Sequence, residues 1–170
     1  MLTSYFSAEI YLPGGVEQGE VWYDFFTDAQ YHSSTNGKPT LVRSYRSTEG
    51  QPPIFVYARG GKILAYQDTY SPKSALMARN STNFNLTIYM NPSGQAIGWL
   101  YFDDGETFNH HRKQEYQIVH FNFTSDGVLR IRQLINSSYE GREWDKVTSL
   151  RLVGAKAVDY EPTVEVKEIN

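Results

Sequence analysis

Apolar and polar side chains alternate along most of this chain. Between residues 84 and 90, phenylalanine, leucine, isoleucine and methionine occupy every second position, and asparagine, threonine and tyrosine lie between them. Successive side chains of a β-strand point to opposite faces of its sheet, so this pattern predicts a strand. No window keeps the i, i+3, i+4, i+7 apolar spacing of a helix over helical length. We therefore expect few helices, all of them short.

Turn-forming residues separate the predicted strands. Pro92-Ser93-Gly94 follows the strand just described, and Asp104-Gly105 and Asp126-Gly127 are dipeptides suited to the positive φ angles of tight hairpin turns. Short strands at this regular spacing favour a β-sandwich. The first two of the other predicted strands are expected to be neighbours, and a polar stretch from residue 27 to residue 38 follows the second of them. These other strands are Glu9–Leu12, Glu20–Phe26, Thr40–Arg46, Ile54–Tyr57, Gln95–Phe102, Glu115–Thr124, Val128–Ile135, Lys146–Val153 and Thr163–Ile169.

The chain is predicted to divide into two lobes. Residues 67–81 have weak periodicity and contain Pro72, so they serve best as a connector, and we place the boundary near residue 66. Lobe 1–66 has about four predicted strands, fewer than the roughly seven of a closed sandwich. It therefore resembles a truncated sandwich whose open edge needs strands from elsewhere. Lobe 67–170 is predicted to be an antiparallel β-sandwich, which makes the whole chain all-β.

Composition agrees with a strand-rich fold and narrows the range of partners. Of the 170 residues, 15% are aromatic, which suits half-buried sheet surfaces. The formal net charge is −3, and Lys and Arg are scattered, so neither nucleic acid nor a membrane surface is an expected partner. No apolar run approaches the roughly 18 residues that span a bilayer. The absence of cysteine excludes disulfides and Cys-ligated zinc.

Two adjacent carboxylates, Asp103 and Asp104, are the first candidates for chemistry. Glycoside hydrolysis needs a pair of carboxyl groups, one on each side of the bond that is cleaved. Neighbouring residues of a strand point to opposite faces, and at a turn they splay outward, so this pair is poorly placed for that role. We interpret the aspartates as side chains that stabilise their own turn beside Gly105.

The remaining motifs do not form a catalytic or metal site. His110 and His111 are adjacent and lack an acidic residue at a ligand spacing, so no metal site is predicted. Arg59-Gly60-Gly61 lacks the third glycine and the Gly-Lys-Ser/Thr ending of a phosphate-binding loop. No serine lies in a Gly-x-Ser-x-Gly segment. We predict no catalytic residue and no cofactor.

Carbohydrate is the ligand class that the sequence suggests. Trp22, Trp99 and Tyr101 could stack on the apolar faces of sugar rings, although aromatic residues more often pack in cores or between lobes. Four Asn-x-Ser/Thr sequons are candidates for N-glycosylation in a secretory lumen. They lie at Asn80, Asn85, Asn122 and Asn136.

Several segments, taken in order, share one resemblance. They are Tyr11–Gly14 with Val21–Asp24 (YLPG and WYD), Pro53–Leu64 (IPVFxRGGxII), Ser74–Tyr89 (SSxLMxxDPxTL), Gln95–Phe108 (AxGxLYxDDGxTF) and Leu152–Ala155 (VxIxGA). Together they resemble the C-terminal region of glycoside hydrolase family 31, most closely its members that trim glucose from N-glycans. The match over Gln95–Phe108 is the most specific. Asn83-Phe84-Asn85 departs from the usual Asp-Pro, which leaves the subfamily open.

The resemblance implies a role within a larger enzyme. In this family two aspartates on a (β/α)₈ barrel perform retaining hydrolysis of α-glucosidic bonds, and a proximal and a distal β-sandwich pack beside the barrel. The barrel precedes these motifs and is absent here, so no catalytic residue transfers and the chain alone is expected to be inactive. The implied partners are the missing barrel, carbohydrate and a regulatory β subunit. The implied location is the endoplasmic reticulum lumen or secretory pathway.

Two other functions stay open at this point. A stand-alone carbohydrate-binding β-sandwich would expose tryptophans such as Trp22 or Trp99, and a purely structural interaction domain would expose a large apolar patch. Residues 1–6 lack the basic start and apolar stretch of a signal peptide, so a secretory address is expected to lie outside this chain.

Overall fold

The computed structural model describes residues 6–14, 20–34, 40–44, 54–67, 74, 77, 83–135, 139, 146–155 and 163–166. The regular elements of this described part are twelve strands and one four-residue helix, α1 (His110–Lys113). The predicted all-β class is confirmed, and the described residues contain no (β/α)₈ barrel. The chain forms two compact units, Met1–Gly60 and Gly61–Asn170.

The first unit contains two small antiparallel sheets. One pairs β1 (Phe6–Ile10) with β4 (Thr40–Ser44). The other places β2 (Val21–Asp24) between β3 (Gln30–His32) and β5 (Tyr57–Arg59). Val21 and Tyr23 are buried on one face of β2, which agrees with the alternation of this segment.

Two expectations for the first unit were wrong, and one strand was not predicted. The strands near residues 9 and 21 lie in different sheets and are not neighbours. The polar stretch from residue 27 to residue 38, where no strand was predicted, contains β3, because a turn returns the chain beside β2 through the bond from the Asp24 N–H to the Ala29 carbonyl (2.9 Å). The strand expected at Ile54–Tyr57 begins only at Tyr57. Short strands with exposed side chains carry too little apolar alternation to be recognised.

The second unit is built on one seven-stranded sheet. Its strands in spatial order are β11 (Val147–Val153), β7 (Phe84–Tyr89), β6 (Lys62–Gln67), β8 (Ala96–Phe102), β9 (Gln117–Phe123), β10 (Val128–Gln133) and β12 (Thr163–Val166). Asp126-Gly127 lies in the turn that joins β9 to β10, but Gly127 has positive φ (84°) and Asp126 does not, so this turn is not the expected two-residue hairpin.

Two features of this sheet differ from the sequence prediction. The boundary between the units along the chain lies between Gly60 and Gly61 and not near residue 66, because β6 pairs with β7 and β8 in the middle of the second sheet. The sheet is mixed and not purely antiparallel, since β11 pairs with β7, β6 with β8 and β10 with β12 in parallel. Alternation shows which face of a strand is buried, but it does not show the direction of the neighbouring strand.

The core of the second unit lies on one face of the sheet. Its buried side chains come from alternate positions of five strands, as the period of two requires. Cross-strand pairs such as Ile63 with Ile88 and Ala96 with Phe123 hold the face together. We call this the inner face; its buried members are Ile63, Leu86, Ile88, Met90, Ala96, Phe121, Phe123 and Leu129.

Candidate functional site

The opposite side of the same sheet, here called the outer face, exposes large apolar and aromatic residues. Trp99 and Tyr101 of β8 lie there, with 53% and 44% of their surface exposed. Leu100, between them, packs against the core on the inner face. The alternation of β8 therefore directs both candidate carbohydrate-contact rings away from the core of the second unit.

Residues from β9 and from the connection before it join these two rings. The ring centroids of His120 and Trp99 lie 5.2 Å apart, and these residues are register partners on neighbouring strands. The Tyr116 ring stacks on the Tyr101 ring with a centroid distance of 5.5 Å. The His111 ring stacks on the Tyr116 ring with a centroid distance of 5.3 Å. We call these five residues the aromatic face.

The aromatic face contains residues that the sequence analysis did not assign to a site. Tyr116 was not singled out, and His111 was considered only as a metal ligand. These two residues lie on the connection 103–116, whose path depends on the turns and the helix that it contains. The Gln95–Phe108 motif indicates that such a connection follows β8, but no periodic pattern places its rings.

The adjacent aspartates of this connection bond to their own backbone. The Asp103 carboxylate accepts the N–H of Gly105 at 2.8 Å. The Asp104 carboxylate accepts the N–H groups of Glu106 at 3.1 Å and Thr107 at 3.0 Å. Such Asx turns are a common use of aspartate in loops. Both side chains therefore stabilise the local chain path.

The tight hairpin expected at Asp104-Gly105 is not formed. Gly105 adopts a positive φ of 73°, but Asp104 is not among the described residues with positive φ. A two-residue type I′ hairpin needs positive φ at both of its central positions. The Asx turns instead direct the chain towards α1, so β8 and β9 are antiparallel neighbours joined by the longer connection 103–116.

Charged and ionisable groups near the aromatic face do not form a metal centre. The His110 Nε2 atom lies 3.5 Å from the Asp103 carboxylate, and the His110 ring contacts the edge of Tyr101 at 6.2 Å. Within the described ranges, no group of three or more His, Cys, Asp or Glu residues could hold a metal ion.

Trp22, the third carbohydrate-contact candidate, belongs to the first unit. Its indole N–H donates to the Pro13 carbonyl at 3.0 Å, and the side chain is half-buried on β2. Arg59 forms an ion pair with Glu20 near the same sheet, and the Gly60 N–H donates to the Val21 carbonyl at 2.8 Å. Gly60 is thus bonded to β2 at the end of β5, and Gly60 and Gly61 form a turn there.

Tyr57 has the most strongly perturbed environment of the first unit. The rings of Tyr57 and Tyr31 pack edge to face, with their centroids 5.6 Å apart. The hydroxyl oxygen of Tyr57 is buried with no hydrogen-bond partner among the described residues. Burial, then the nearby Tyr31 and Asp24, raise the pKa of Tyr57 to about 12. The neutral phenol is therefore favoured in the folded chain.

Tyr57→Phe is expected to raise the free energy of unfolding by about 1 kcal/mol at neutral pH, because the variant no longer buries an unbonded hydroxyl. The phenol ionises at a lower pH in the unfolded chain than in the folded chain, so the wild type keeps its stability below pH 10 and loses part of it as the pH rises towards 12. The variant should lack this loss. Urea unfolding at neutral and alkaline pH and a phenolate absorbance titration measure both effects. Tyr11→Phe, at an exposed tyrosine, is the control, and equal stability of wild type and Tyr57→Phe at both pH values would contradict the prediction.

Two of the four sequon asparagines lie within the described residues. Asn85 is in β7 between β11 and β6, and its carboxamide oxygen accepts a bond from the Ser149 hydroxyl at 2.5 Å. Asn122 is in β9 on the outer face and is partly exposed. Asn80 and Asn136 lie outside the described residues.

Within the described residues, no helix has the length and apolar character needed to cross a membrane. No protein-family model matches the chain. Curated sequences and solved structures match the chain, and they resemble it over most of its length.

An α-glucosidase of Aspergillus niger is 32% identical over 149 residues, which is 88% of this chain and 13% of the relative. A crystal structure of a glucosidase II α subunit, with an α3-Glc2 ligand, matches at 26% identity and a TM-score of 0.61, covering 89% of this chain and 16% of that one. A second structure, the heterodimeric ER glucosidase II complex of a catalytic subunit and the binding domain of a regulatory subunit, has the same fold. It matches at 24% identity and a TM-score of 0.54 over 89% of this chain.

The chain thus spans less than a fifth of the relatives that it matches. It covers the segments from YLPG to the DDG turn, in the order that the sequence resemblance predicts. Over most of its length, the chain corresponds to one part of the larger α-glucosidases of glycoside hydrolase family 31.

Proposed function

We propose that this chain is the C-terminal supporting β-sandwich part of an α-glucosidase that hydrolyses terminal α-glucosidic bonds, and that it contributes no catalytic residue. The coverage of the comparison carries the proposal. The chain matches an α-glucosidase over 88% of its own length but covers only 13% of that enzyme. The hydrogen bonding of Asp103 and Asp104 gives further support, because both carboxylates accept turn N–H groups.

In this proposal the two units have different positions in the parent enzyme. The first unit, Met1–Gly60, belongs to the proximal lobe, and the second unit, Gly61–Asn170, which includes β6, belongs to the distal lobe. Both lobes support a (β/α)₈ barrel that carries the two reacting aspartates. A regulatory β subunit and a location in the endoplasmic reticulum lumen or secretory pathway belong to the same proposal, since glucosidase II has these properties.

The purified chain is expected to hydrolyse no chromogenic α-glucoside above a buffer blank, because retaining hydrolysis needs two carboxyl groups about 5–5.5 Å apart across the bond. The assay should include Asp103→Asn and Asp104→Asn. If the wild type turns over substrate and either variant loses that activity, the proposed non-catalytic role is wrong.

A second function is favoured by one observation, the exposure of Trp99. A stand-alone module could bind carbohydrate by stacking a sugar ring on this indole, with Tyr101 and Tyr116 beside it. Titration with maltose-type oligosaccharides should then change the tryptophan fluorescence of the wild type but not of Trp99→Ala. Unchanged fluorescence of the wild type would exclude this function.

A further inference from the structure

The sequon Asn122-Phe123-Thr124 lies at the end of β9, next to the aromatic face. Phe121 and Phe123 are buried in the core, so Asn122 points to the outer face, on the same side as His120. The Asn122 side chain is partly exposed, and the strand ends one residue later at the turn into β10. A bulky, polar modification is compatible with such a position.

The neighbours of Asn122 on the outer face are accessible. Asn122 pairs in register with Ile97 of β8 and with Arg130 of β10, and both side chains are exposed. Trp99, two residues after Ile97 on β8, is the diagonal neighbour of Asn122. Diagonal neighbours on a sheet lie about 7–8 Å apart, which a sugar linked to the carboxamide nitrogen can bridge. The indole would contact the apolar C–H face of that sugar, while the sugar hydroxyls face water.

The other described sequon has a different setting. On β7 the outer-face residues Thr87 and Tyr89 are fully buried, so a glycan on Asn85 would emerge beside covered surface. The Asn85 carboxamide is also bonded to Ser149, and the Thr87 hydroxyl donates to the Tyr66 hydroxyl at 3.1 Å. Asn85 and Asn122 are both partly exposed, so the two sequons differ in the exposure of their outer-face neighbours and in the bond that Asn85 makes to Ser149.

We propose that Asn122 carries an N-linked glycan whose first sugars lie on Trp99 and shield the aromatic face from solvent. The proposal rests on the secretory location in the proposed function. It selects Asn122 over Asn85, and it gives the exposed indole a covalently attached partner with matching chemistry. A free oligosaccharide would have to compete with this glycan for the same ring.

Occupancy is tested by expressing the full 170-residue chain behind a heterologous signal peptide in eukaryotic cells. Peptide mass spectrometry after enzymatic deglycosylation in ¹⁸O water should label Asn122 and leave Asn85 unlabelled. Asn122→Gln should increase the electrophoretic mobility of the chain by the amount expected for the loss of one glycan. The matched control Asn85→Gln should leave the mobility unchanged. An unlabelled Asn122 overturns the proposal. Because the added signal peptide delivers the chain to the lumen, that result would leave the proposed enzyme assignment intact.

Contact with the indole is tested in a Trp22→Phe, Trp144→Phe background, in which Trp99 is the remaining tryptophan. Acrylamide should quench Trp99 less in the glycosylated chain than after enzymatic removal of the glycan. The Asn122→Gln variant, compared before and after the same treatment, should show no change. Equal quenching with and without the Asn122 glycan would overturn the shielding of the aromatic face.

Discussion

Replacing Gly98 with alanine is expected to lower the free energy of unfolding of the second unit by about 3 kcal/mol, at the upper end of the range for overpacked cores. A Cβ atom at this position would lie 2.4 Å from the carbonyl oxygen and 2.8 Å from the Cβ of Ile63 on β6. These atoms belong to the backbone and to a buried branched side chain, so neither can rotate away. The glycine of the Gln95–Phe108 motif is thus explained by close contact between β8 and β6.

Urea unfolding followed by circular dichroism measures this loss. Ile97→Ala is the matched control, because Ile97 is the preceding residue of β8 and lies exposed on the outer face. It should destabilise the chain by well under half as much. If Gly98→Ala unfolds at the wild-type urea concentration, β6 and β8 do not approach as closely as the structure indicates.

Leu86→Ala is expected to have the largest effect, a loss of about 4 kcal/mol. Leu86 is 0% exposed and lies between β6 and β11, where it pairs with Ala65 and Leu150. Its removal leaves a cavity in a strand that is buried on both faces, with little freedom for the neighbours to collapse. Part of the variant population should be unfolded at physiological temperature, since whole domains are stable by only about 5–15 kcal/mol.

Leu64→Ala makes the same chemical change on the neighbouring strand β6. Leu64 lies on the outer face with 40% of its surface exposed, so its truncation should cost about 1 kcal/mol or less. Thermal unfolding of both variants, measured in parallel, gives the difference directly. Similar losses for the two leucines would show that the inner face is not the main core of the second unit.

Most strands of the second unit could be predicted because they alternate strongly and end at clear turn residues, but β6 (Lys62–Gln67) was not among the predicted strands. The predicted segment Gln95–Phe102 differs from β8 by one residue, and Lys146–Val153 differs from β11 by one residue. Asp126-Gly127 lies in a turn as expected, with positive φ at Gly127 and not at Asp126. In β8 and β9 the inner-face burial follows the same alternation, so the buried side of these two strands was also predictable.

Long-range pairing could not be predicted from local pattern. Nothing in Val147–Val153 shows that it pairs in parallel with β7, more than fifty residues earlier in the chain. The position of β6 in the second sheet likewise depends on its contacts with β7 and β8. The weak periodicity of residues 67–81, which follow β6, does not reveal these contacts. Strand direction and sheet order are properties of tertiary packing.

The candidate site was predictable only in part. Trp99 and Tyr101 were identified as candidate sugar platforms from their spacing on one strand, and the structure exposes both. Tyr116 and His111 complete the aromatic face because the connection 103–116 places Tyr116 on Tyr101 and His111 on Tyr116, while His120 joins it as the register partner of Trp99 on β9. The Asp103-Asp104 pair suggests acid-base chemistry, but its bonds within the turn assign it a structural role.

A chimera provides the most direct test of the central claim, that this chain is the supporting part of an α-glucosidase. In the Aspergillus niger enzyme, the segment that matches this chain is replaced by the chain itself, and a second variant lacks the segment. The account predicts that the chimera is secreted and hydrolyses a chromogenic α-glucoside, while the deletion variant does not. Asp103→Asn and Asp104→Asn in the chimera should lower its stability and not abolish turnover. A folded, secreted chimera without turnover, or a deletion variant as active as the intact enzyme, would contradict the account.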